Sequence, residues 1–111
     1  MPARLIDIDK LQPKDGILSR KILEEIAQGK RANSSLPEVW VYDGLYILVD
    51  GHHRVYQAYQ QGKRKILALI HSKSNCLLTK SGYGYALEEA LSGAAFIRDA
   101  GIFHISQLQV Q

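Results

Sequence analysis

Polar and apolar residues alternate near the start of the chain, where Arg4, Leu5, Ile6, Asp7 and Ile8 give the period of two expected of a half-buried strand. Pro13 and the pair Asp15-Gly16 then punctuate a loop. Ser19 follows as a candidate N-cap, and Ile22, Leu23 and Ile26 recur at helical spacing before Gly29. Residues 20–28 are therefore expected to form a helix whose other face carries Glu24 and Glu25. Two β-prone runs, residues 39–42 and 45–49, are separated only by Asp43-Gly44, the signature of a hairpin closed by a two-residue turn. Farther on, Val55, Ala58 and Tyr59 mark a short helix over residues 55–61 that Gly62 stops. Residues 66–70 are wholly apolar and of strand length, which suits the centre of a sheet. Ser, Asn and Gly make residues 71–85 a loop. A helix is expected over residues 86–99, with Leu87, Leu91, Ala94, Ala95 and Phe96 as its packing face and Gly101 as its stop. Residues 102–110 suit either a last strand or an extended segment across the sheet.

Between the hairpin and the second helix runs Asp50-Gly51-His52-His53-Arg54. A strand that ends in a glycine turn and opens a helix presents free backbone N–H groups and the positive end of the helix dipole, and glycine lets an anion approach the main chain closely. An imidazole and a guanidinium there add positive charge, and Arg54 is the side chain best shaped for bidentate binding of phosphate. Asp50 suits two roles equally, a helix cap or a metal ligand. His52 and His53 are candidates for phosphate binding and for proton transfer. Glu24 and Glu25 fit a solvated helix face, and Trp40, Tyr42 and Tyr46 fit hairpin and core packing. His71 and His104 show no ligand spacing.

Composition sets the bounds. A chain of 111 residues, 46% hydrophobic and 23% charged, is expected to fold as one domain spanning 1–111, with nothing resembling a disordered tract. The absence of a long apolar run or a signal-like N-terminus points to a cytoplasmic protein. Cys76 is the single cysteine, which excludes an intrachain disulfide and a cysteine-based zinc cluster. The net charge of +3 is small, but Lys63, Arg64, Lys65, Lys73 and Lys80 all follow the Asp50–Arg54 run. Such a stretch suits contact with nucleic-acid phosphates as well as plain solvation.

The order strand, helix, hairpin, glycine turn, helix, strand, with this run at the join, resembles the ParB/sulfiredoxin-like superfamily over residues 5–70. The resemblance implies an α+β fold: a small mixed sheet with a β-hairpin, packed by about three helices. Gly51, His53 and Arg54 match the sulfiredoxin turn, but His52 stands where the nucleophilic cysteine would be, so sulfiredoxin activity is not expected. About 40 residues follow Ile70, too few for the DNA-binding and dimerisation domains of a complete partition protein.

The resemblance further implies a nucleotide triphosphate, ATP or CTP, with Mg²⁺, bound by Gly51, His52, His53 and Arg54. A ParB-like nuclease or phosphohydrolase would add Asp50 as metal ligand and His52 or His53 as general acid or base. Similarity to archaeal free-serine kinase implies Glu24 or Glu25 as general base for phosphoryl transfer to an amino acid. A module without catalysis would instead bind DNA through Lys63, Arg64, Lys65 and Lys73, or a partner protein, with homo-oligomerisation left open.

Overall fold

The computed structural model describes residues 3–30, 36–72 and 87–111. In chain order the elements are β1 (Ala3–Asp7), β2 (Leu11–Pro13), β3 (Ile17–Leu18), α1 (Arg20–Ala27), β4 (Glu38–Tyr42), β5 (Leu45–Asp50), α2 (His52–Gln60), β6 (Lys65–His71), α3 (Leu87–Asp99) and β7 (Gln109–Val110). Single 3₁₀ turns occupy Ile8–Lys10 and Ile105–Gln107. Five strands form one mixed sheet in the order β1-β6-β4-β5-β2, so the fold is α+β as expected. The outer pairs differ: β1 runs antiparallel to β6, whereas β2 runs parallel to β5.

Alternation along the strands sends side chains to two opposite layers. On one face Val39, Leu48, Ala68 and Ile70 pack with Val55 and Ala58 of α2, and Leu23 of α1 leans on the same cluster. On the other, Trp40, Ile47 and Val49 meet Ala90 and Ala94 of α3. Each large apolar side chain buried in this way contributes roughly 1.5–3 kcal/mol, so β5, buried from Ile47 to Val49 and feeding both clusters, anchors the strand end that leads into the glycine turn. The hairpin closes as its sequence requires, with Asp43 and Gly44 at φ 49° and 79°. Ser19 caps α1, its Oγ accepting from the Ile22 N–H at 3.3 Å.

Several expectations need correction. β6 lies second from the edge and β4 holds the centre, because β1 adds outside β6. α2 starts at His52 instead of Val55, since Gly51 takes the N-cap position and the histidines and Arg54 form the first helical turn. The stretch before Ser19 holds two short strands, β2 and β3. In α3 the inward stripe is Ala90, Ala94 and Ile97, with Leu87 and Leu91 beside it, and Phe96 points outward at 74% exposure. The final segment does form a strand, but β7 pairs in parallel with β3 in a separate two-stranded sheet, and the Arg20 N–H donates to the Gln111 carbonyl at 2.7 Å. The expected loop at residues 71–85, with Lys73, Cys76 and Lys80, lies almost wholly outside the described residues. No helix among the described residues is long and apolar enough to cross a membrane.

Candidate phosphate-binding turn and cleft

β5 ends at Asp50, and Gly51 turns the chain into α2 with φ 90°. Two constraints hold that position to glycine. The left-handed conformation disfavours any side chain, and an added Cβ would sit 2.9 Å from the Cα of Pro37. Gly51 has no side chain with which to cap α2, in contrast to Ser19 on α1. Asp50 is exposed, and among the described residues its Oδ1 accepts the neighbouring Gly51 N–H, at 3.0 Å; the cap reading of Asp50 gives way to this short loop.

His52 and His53 sit at the start of α2 but reach back to the segment that precedes α1. His52 is 4% exposed, and its Nε2 accepts the N–H groups of Lys14 at 3.1 Å and Asp15 at 3.2 Å. That geometry needs an unprotonated Nε2, with Nδ1 lying 3.5 Å from Asp15 Oδ2. Burial holds the imidazole pKa down to about 4, assisted by the charge of Lys14 and the neighbouring His53, and opposed by Asp15. His53 Nε2 accepts the Ser19 N–H at 2.9 Å. The two adjacent imidazoles thus pin the entry to α1 onto the first turn of α2.

Arg54 borders a cleft of about 330 Å³ that it shares with Ile26 of α1, Pro37, Gln57 of α2, and Gln61 and Lys63 beyond the helix. Two cations and two carboxamides therefore line the hollow together with apolar side chains such as Leu36, Ile66 and Leu67. Of the remaining sequence candidates, Glu24 is exposed and Glu25 is half-buried on α1. The basic stretch is split: Lys63 joins the cleft, Arg64 lies over the Tyr59 ring at 5.5 Å, and Lys65 approaches Asp7 at 3.8 Å. Lys73 is outside the described residues. Among the described residues no group of three His, Cys, Asp or Glu side chains gathers to hold a metal ion.

One buried constellation lies apart from the residues that the sequence marks as candidates. Glu38 Oε1 accepts from His71 Nε2 at 2.8 Å, with the two side chains 2% and 0% exposed, and the His71 ring stacks on Trp40. A glutamate opening an otherwise apolar β-run, directly after Pro37, was the available signal.

No protein-family model and no curated protein matches the chain. Among solved structures, protein Atu1540 from Agrobacterium tumefaciens is similar over 97% of this chain and 61% of its own, at 17% identity and a TM-score of 0.62. The C-terminally truncated chromosome-partitioning protein ParB from Caulobacter crescentus, complexed with CTP-gamma-S, matches over 89% of this chain at 18% identity and a TM-score of 0.50. This chain has the ParB/sulfiredoxin-like fold. A free serine kinase in complex with ADP aligns over 63% of the chain at 24% identity and a TM-score of 0.50. The likeness at these identities is one of fold, and the chain spans 53% of the partition protein and 31% of the kinase. Within the ParB/sulfiredoxin-like fold, the Gly51 turn is where the central hairpin passes into α2.

Proposed function

We propose that the chain binds the phosphate groups of a nucleotide triphosphate, ATP or CTP, at the turn from Gly51 to Arg54. The observation that carries this reading is Arg54 at the cleft, one turn into a helix that opens on a left-handed glycine with no side-chain cap. Phosphate oxygens would meet main-chain N–H groups at the turn, and the Arg54 guanidinium and Lys63 ammonium would offset their charge. Two proteins of similar fold hold CTP-gamma-S and ADP, which supports a nucleotide over a bare anion. The donor set fits Mg²⁺ only as a cation carried on the phosphates, with exposed Asp50 as the adjacent carboxylate, since Mg²⁺ bound in this manner needs one or two protein carboxylates.

Within this reading His52 and His53 shape the turn, because their Nε2 atoms already accept main-chain N–H groups. Titration calorimetry with ATP and CTP, with and without Mg²⁺, tests the proposal. Binding weakened at least about tenfold by Arg54→Ala, and less by Lys63→Ala, is the expected result. Absence of binding to either nucleotide would sink it. Phosphate release or DNA cleavage above background, lost in Asp50→Ala, would add metal-assisted phosphohydrolase or nuclease activity to the binding.

A further inference from the structure

Glu38 opens β4 and His71 closes β6, and their hydrogen bond spans the two strands inside the protein, at 2% and 0% exposure. Trp40, the single tryptophan of the chain, is the register partner of His71 and stacks on its ring at 5.9 Å and 25°. Withdrawing a carboxylate and an imidazole from water costs several kcal/mol per ionised group, and a well-packed apolar pair of the same volume would serve stability as well or better. Stability alone therefore gives a poor account of this pair. Its surroundings give a better one.

Glu38 is bonded through the chain to Pro37, and the Pro37 carbonyl accepts the Leu69 N–H of β6 at 2.8 Å. In the β4–β5 ladder Glu38 stands opposite Asp50, with a bulge between Glu38 and Val39 where β5 gives way to the turn. Pro37 in turn forms a wall of the Arg54 cleft and presses on Gly51, leaving 2.9 Å between its Cα and a notional Cβ there. An unbroken set of contacts thus leads from His71 through Glu38 and Pro37 to Gly51.

We infer that the Glu38–His71 hydrogen bond is a positioning device for the phosphate turn, a role that rests on the nucleotide-binding reading above. By fastening the start of β4 to the end of β6 it holds Pro37 against Gly51, and so sets how far the turn's N–H groups stand from the cleft. Glu38 and His71 act through Pro37 and need not touch a ligand.

The test compares Glu38→Ala, His71→Ala and Glu38→Gln, the last of which keeps shape and hydrogen bonding. Two quantities are read: the Gly51 amide resonance in ¹H–¹⁵N spectra of the ligand-free protein, with Gly44 at the far end of the same hairpin as control, and the affinity for ATP and CTP. The positioning role requires Glu38→Ala and His71→Ala to displace the Gly51 resonance but not that of Gly44, and to weaken nucleotide binding roughly tenfold, with Glu38→Gln near the wild type. A lowered melting temperature with Gly51 and affinity unchanged overturns it. Should both disruptive variants fail to fold, Glu38→Asp, which shortens the reach to His71 by one methylene, decides: a displaced Gly51 resonance supports the role, and an unmoved one overturns it. If the wild type binds no nucleotide, the functional reading fails, while the Gly51 resonance still reports on the coupling from Glu38.

Discussion

β5 has the same dipeptide at each end, Asp43-Gly44 before it and Asp50-Gly51 at its close. Both glycines adopt positive φ, 79° and 90°, yet they have different neighbours. Among the described residues, chain neighbours aside, nothing lies within 4 Å of a Cβ built on Gly44, so that pair reverses the chain. At Gly51 the same notional atom runs into the backbone of Pro37, and a helix bearing His52, His53 and Arg54 begins at once. An Asp-Gly pair takes its meaning from the groups packed on it and from the element it opens.

Gly51→Ala draws the contrast most sharply. Left-handed strain and a clash with a backbone atom that cannot swing aside are each worth about 1–3 kcal/mol, so a loss of about 4 kcal/mol in urea denaturation is expected. Next comes acid. The folded protein keeps His52 neutral, with a pKa of about 4 against 6.5 for the ordinary group. Between those values the unfolded chain binds more protons, so stability is complete above pH 6.5, falls as the pH drops through the window, and has lost about 3 kcal/mol by pH 4. Urea midpoints across that range should show this slope in the wild type and lack it in His52→Gln; equal slopes would mean that burial does not hold the ring neutral. Gly44→Ala, with strain alone, should cost about 1–2 kcal/mol, and a cost equal to that of Gly51→Ala would erase the distinction. Asp50→Ala should move the unfolding free energy by less than about 0.5 kcal/mol, because the exposed carboxylate, among the described residues, holds its neighbour's N–H alone. If the proposed nucleotide binding holds, its effect is expected in Mg²⁺-dependent nucleotide affinity.

The elements legible in the sequence are those with local signals. Asp43-Gly44 between apolar runs gave the hairpin, Ser19 with the Ile22, Leu23 and Ile26 stripe gave α1, and the run at residues 66–70 gave β6. β2 and β3, three and two residues long, were not legible, because each exists only through a distant partner, β5 or β7. The same holds within the site. Gly51 and Arg54 were readable from the turn chemistry of the run itself. The placement of Lys63 on the cleft depends on how the chain leaves α2, and the Glu38–His71 contact joins residues 33 positions apart that only the β4–β6 register brings together. The histidines were legible as special but not in kind: their short reach to Lys14, Asp15 and Ser19 is a tertiary fact.

The small β3–β7 sheet carries a kinetic consequence. It pairs residues 17–18 with 109–110, and the carbonyl of Gln111 completes the N-terminal turn of α1. Closing so long a span is entropically costly and must precede any reward from the pairing, so parallel contacts of this kind form late. The hairpin β4–β5 needs no such closure and should be protected first. Pulsed hydrogen exchange during refolding is therefore expected to show the amides of β4 and β5 shielded ahead of the Arg20 amide.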